Sequence, residues 1–239
     1  MSAGPKRALW AAHGNPRVQS LRQQALPGLV TACLLTCTAW PVNAVAQGSG
    51  NACGPVAIPG HYGPYDYVTE RGRLEIVERF HFTPRVEALI GGSSGYLGGD
   101  LSYTLNASPN HHRALVAAMN FAARTKSPTP PHMTLSVECY FDRATRFKPS
   151  DTIVRRLYAI YLSRLKRVPE AQRQLEVAEH FAKQAQDGMS LHNLGLVYLE
   201  VGLPEQALRV AHEAATMGFE GTQLREALQK AGHWKDPTQ

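Results

Sequence analysis

Small residues recur at a fixed spacing in the C-terminal half of the chain: Ala159, Ala171 and Ala178 return 36 positions later as Gly195, Ala207 and Ala214. Around them the apolar positions keep the three-to-four-residue rhythm of helices that bury one face. Phe141, Ala144 and Phe147 map at an offset of 34 onto Leu175, Ala178 and Phe181, and the following unit carries Ala211, Ala214 and Met217 at that stage. Such spacing belongs to helical-hairpin repeats, where methyl-sized residues let helices approach and each hairpin buries its stripe against the next. The pattern predicts an all-α array of about two and a half hairpins over residues 109–239, with first helices such as Val154 to Leu165 and Ser190 to Val201. Gly202 ends one helix and Pro204 fits the first turn of the next, as Pro169 does one unit earlier. Thr222 to Ala231 predicts an amphipathic C-terminal cap helix with Leu224, Ala227 and Leu228 on one face, closed by Gly232. An ordinary helical bundle with coincidental alanine spacing is the competing reading.

Residues 47–108 follow a different pattern, rich in Gly, Pro and Tyr and without a long helical period. They predict an irregular N-terminal extension whose aromatics, among them Tyr62, Tyr65, Tyr67, Phe80 and Phe82, wrap against the helices. Within it, Leu74 to Phe82 reads as a strand or extended segment, and Thr83 to Ile90 as a short helix capped by Thr83 with Pro84 in its first turn. Gly91 to Asp100 reads as a loop, with Asp100 capping Leu101 to Leu105. That loop lacks the G-K-[ST] ending of a phosphate-binding loop, so a nucleotide site is not expected there. A helix from about Pro109 to Arg124 should be capped by Ser108 or Asn110, and Ser127 to Pro131 forms an elongated inter-helix loop.

The repeat units resemble the tetratricopeptide repeat (TPR) family. Gly188 to Gly221 matches best, through Leu191, Leu194, Gly195, Tyr198, Ala207 and Ala214, although Phe219 stands where proline is usual. Thr152 to Asp187 keeps Ala159, Leu162, Ala171 and Ala178, and the first unit keeps only its second helix, through Phe141, Ala144 and Pro149. The segments VERFHFTPRVEALIGG, DLSYTLNASPNHHRAL and VECYFDRATRFKPSD also look like exported TPR-repeat proteins of Gram-negative bacteria, a group with no assigned chemistry. The resemblance implies a hairpin scaffold in the periplasm and carries over no catalytic residue.

Residues 1–46 carry Lys6, Arg7, Arg17 and Arg22 with no acidic residue, then an apolar stretch from Leu29 to Trp40, then Ala44-Val45-Ala46. Basic, apolar and small in that order is a secretory signal, here with cleavage before Gln47. The stretch falls short of the roughly 20 apolar residues of a bilayer span, so no transmembrane segment is expected in the mature chain. Cys33 offers the alternative of a lipidated N-terminus on an envelope-anchored protein. Without the leader's four basic residues the net charge drops from +6 to +2, which removes the electrostatic footprint nucleic acid needs. The basic run Arg155, Arg156, Arg164, Lys166 and Arg167 then reads as a solvated helix face.

Two cysteines remain, Cys53 and Cys139, and export predicts a disulfide between them, with two separate free thiols as the alternative. The leading functional expectation is a periplasmic, non-enzymatic scaffold without cofactor, binding a protein or peptide partner through Arg155, Asn193 and Glu200 on its first-helix face. The alternative is a metal- or ligand-binding protein or enzyme using His81, Asp100, His111 and His112. Adjacent His111 and His112 point about 100° apart on a helix, so they cannot both grip one metal without outside partners.

Overall fold

The computed structural model describes residues 52–237; the leader, its cleavage site and Cys33 lie outside them. A 3-10 turn at Arg71–Leu74 precedes ten α-helices: α1 (Glu75–His81), α2 (Pro84–Glu87), α3 (Leu97–Ala107), α4 (His112–Thr125), α5 (Val137–Phe147), α6 (Thr152–Arg164), α7 (Val168–Gln184), α8 (Gly188–Glu200), α9 (Pro204–Thr216) and α10 (Gln223–Lys230). No strand occurs among the described residues, and none of their helices is long and apolar enough to cross a membrane.

The hairpins α6–α7 and α8–α9 fall where the spacing places them, because their punctuation is local. Asp151 caps α6 by accepting the Ile153 and Val154 amides, and Asp187 caps α8 by accepting that of Ser190. Pro169 and Pro204 occupy the first turns of α7 and α9. Seven helices end alike, with a left-handed residue (Leu89, Lys126, Lys166, Gln186, Gly202, Gly218 or Gly232) followed by an amide that bonds back five residues, as Leu203 does to Tyr198 and Phe219 to Ala214. That closure satisfies carbonyls the helix end would leave orphaned.

Ala159, Ala171, Ala178, Ala207 and Ala214 are all buried in the core. At Gly195 a Cβ would collide with Leu224 of the cap helix and lie 3.0 Å from Val210. The missing side chain is what lets α10 dock against α8. Glu179 of α7 ties the two hairpins together, accepting both Arg209 guanidinium nitrogens (2.6 and 2.8 Å), Lys183 Nζ (2.7 Å) and the Tyr198 hydroxyl (3.1 Å). Burial opposes its ionisation, but the bonds from Arg209 and Lys183 outweigh it and hold the carboxyl at about 2, below its ordinary 4.5. A depressed carboxylate stabilises the fold above its unfolded pKa, and that contribution is lost as pH falls from about 4.5 towards 2. With Arg209 and Lys183 partly screened by solvent, we expect a loss of about 2 kcal/mol across that window. Thermal unfolding between pH 6 and 2 checks it, since Glu179→Gln should flatten this part of the profile.

The N-terminal third departs from expectation. Residues 75–81 form a helix, not a strand, because the buried positions are Leu74 and Val77, three apart, while Ile76 and Phe80 face solvent. The presumed glycine loop ends early: Leu97, Gly98, Gly99 and Asp100 open α3. A Cβ on Gly98 would strike the backbone at Pro131 and Met133, so that glycine serves close packing against the α4–α5 loop. Asp100 lies inside the helix, and its carboxylate accepts the Ser93 and Ser94 amides of the preceding loop. Pro84 opens α2 as predicted, yet the Thr83 side chain caps nothing. Neither Ser108 nor Asn110 caps α4; His111 does, accepting the Ala114 amide on Nδ1 at 3.2 Å. Phe82, Val86, Leu101 and Leu105 join the same core as the hairpins, whereas Leu74 and Val77 pack with Tyr67 and Ala107 in a smaller cluster, so α1 to α3 make much of this stretch helical where an irregular wrap was expected.

Cys53 and Cys139 are joined by a disulfide that fastens the first described residues to α5. Next to it, Arg143 is almost wholly buried and donates to the Pro55 carbonyl (3.0 Å), the Val56 carbonyl (2.9 Å) and Asn106 Oδ1 (2.6 Å).

Candidate functional site

Three histidines gather where α1, α3 and the N-termini of α4 and α6 meet, and each takes its own carboxylate. His111 is fully buried between the Tyr67 ring (4.2 Å between centroids) and the edge-on Phe82 ring (4.7 Å). Its Nδ1 accepts the Ala114 amide, so the proton sits on Nε2 and is donated to Glu78 at 3.1 Å. Burial pushes this imidazole below its ordinary pKa, and the His111 bond holds Glu78 below the usual carboxylate range. His112 Nε2 bonds Asp151 at 2.8 Å, the same aspartate that caps α6. Asn110 bridges Asp66 and Asp151 through its amide nitrogen and accepts the Tyr67 amide. Lys148 closes the network on Asp66 at 2.8 Å and, despite burial, keeps that carboxyl far below its ordinary pKa.

His81 pairs with Asp100, Nδ1 to Oδ1 at 2.9 Å, and stacks on Tyr103 at 3.8 Å. It borders a cavity of about 430 Å³ together with Tyr62, Phe80 and Ser94. The Ser94 hydroxyl donates to the Phe80 carbonyl, so it is not the histidine's partner. The four residues proposed from sequence as a metal or acid–base site are therefore not one constellation. His81 and Asp100 form one pair, while His111 and His112 each turn to a carboxylate that sequence reasoning missed. Among the described residues no group of three or more His, Cys, Asp and Glu side chains is placed to hold a metal.

A second surface is made by the first helices α4, α6 and α8, which adjoin in that order. Arg155, expected there as a partner contact, is used inside the fold, donating to the Pro149 carbonyl (2.8 Å) and to Gln174 (2.9 Å). Asn193 is half-buried and Glu200 exposed on α8. The rest of the basic run is also largely engaged: Arg164 bonds Asn120, and Arg167 bonds Glu138 and Glu170. Arg156 differs. It is partly buried, within electrostatic reach of Asp151 and Asp187, and its Nε is buried without a hydrogen-bond acceptor. On the same helix Ile153 is exposed, and on α8 so is Met189, 36 positions later. Sequence reasoning grouped Arg156 with its neighbours, because pairing to Gln174 or Glu138 across helices has no local signature.

No family model matches the chain, and neither the curated proteins nor the solved structures give a significant match.

Proposed function

We propose that this chain is a non-enzymatic TPR-like scaffold of the periplasm, whose α4–α6–α8 face binds a segment of a protein partner. The observation that carries the reading is the side chain of Arg156, whose buried Nε lacks an acceptor, on a pair of first helices that also expose the apolar Ile153 and Met189. That Nε is sealed, but the terminal guanidinium nitrogens are not and bond no described residue, so a partner carboxylate laid along this face would pair with them. The Cys53–Cys139 bridge supports an oxidising compartment. One-to-one pairing of His111 and His112 with Glu78 and Asp151 supports a bracing role for that junction.

Ile153→Asp with Met189→Asp tests the proposal, because both side chains are exposed enough for the fold to accept the change. We expect any native-size complex in envelope extracts to weaken at least about tenfold, as losing two apolar contacts implies, with the helical circular dichroism unchanged. Complexes that persist unaltered in the double variant would contradict it.

A further inference from the structure

At the far end of the array, α9, α10 and the C-terminal tail enclose a cavity of about 530 Å³, within the range of small-molecule sites. Its walls are preformed. On one side Ala211 and Ala215 of α9 present only methyl groups. On the other the tail is held in three ways: the His212 ring bonds the Lys235 carbonyl through Nε2 at 3.0 Å, the Trp234 indole meets that same ring edge-on, and the Arg225 guanidinium lies 4.9 Å over the indole. The Phe219 ring, part of the lining, lies close over Gly221, where a Cβ would collide with it.

The floor is His192 of α8, only 5 % exposed, tilted against Phe219 at 4.9 Å and without a hydrogen bond to any described residue. Neither ring nitrogen is among the sealed, unpaired polar atoms of the described residues, so both keep accessible surface on a ring that lines the cavity. Burial lowers its pKa, so the ring is neutral and offers one donor and one acceptor. No fixed cation shares the floor. Arg225 sits at the rim over Trp234, with Asp236 3.9 Å away. Glu220 and Asp236 line the cavity as well, so a carboxylate or phosphate would meet more negative than positive charge there. A hydroxyl on an aromatic ring meets the imidazole at little cost and lays its body on apolar walls.

We propose that this cavity binds a small neutral aromatic molecule bearing one hydroxyl group, its ring against Phe219, Leu224 and Trp234 and its hydroxyl on the imidazole of His192. The site is separate from the first-helix face and stands or falls independently of it.

Titration of the full chain with 4-ethylphenol, and with ethylbenzene as the match lacking the hydroxyl, tests the assignment. Calorimetry should show saturable binding of the phenol about tenfold tighter than ethylbenzene, the worth of one added hydrogen bond. The His192 ring nitrogen resonance, identified by its loss in His192→Phe, should shift with the same midpoint. His192→Phe should erase the preference, and Ala211→Phe, which fills the cavity, should remove binding of both compounds with the unfolding midpoint retained. Absence of saturable binding, equal affinity for the two compounds, or a preference that survives His192→Phe would each overturn the proposal.

Discussion

Replacing Cys139 with serine is expected to lower stability by about 4.5 kcal/mol, the loop-closure entropy of a cross-link spanning 86 residues. For a domain of this size that corresponds to roughly a 10 °C fall in the unfolding midpoint. The bridge closes most of the N-terminal helical layer onto α5, so without it the unfolded chain gains the freedom of α1 to α4 together. Calorimetry with and without reductant checks the expectation. Reduced wild type and Cys139→Ser should unfold at the same temperature, and reductant should leave the variant unmoved.

Loss of Arg143 is expected to be of similar size for a different reason. Its guanidinium supplies three donors at once, to two carbonyls of the segment beside Cys53 and to Asn106 at the end of α3. Arg143→Met keeps much of the volume but leaves those acceptors unpaired, at a cost of about 3–5 kcal/mol. Arg143→Lys should recover only part, since one ammonium cannot reproduce a planar fork. The disulfide and Arg143 hold the same segment, which Arg146 also touches at Gly54. Denaturant unfolding of the double variant Cys139→Ser, Arg143→Met should therefore show less than the sum of the two losses.

The hairpins were legible in the sequence because Pro169, Pro204 and Gly202 mark turns and small residues mark crossings. Only the second kind concerns tertiary packing, and it repeats; the Asp151 and Asp187 caps went unread. The disulfide was legible by elimination once the leader's cysteines were set aside. The first helices were not. Ile76 and Phe80 imitate a strand pattern while facing solvent, and Gly98 and Gly99 imitate a loop although α3 uses Gly98 to approach the backbone at 131–133. In the candidate site, His111 and His112 were visible as a polar cluster. Glu78 and Asp151 were not, because 33 and 39 residues separate each pair. Arg143 escaped for the same reason: a cation in an amphipathic helix reads as surface until its acceptors arrive from 88 residues away.

The most direct test of the scaffold account is site-specific photo-crosslinking in the intact envelope, with the probe at Ile153 or Met189 on the first-helix face and at Arg173 or Val177 on α7. The account predicts adducts of discrete mass from the first pair of positions and none from the second. Adducts from α7, or silence at Ile153 and Met189, would contradict it.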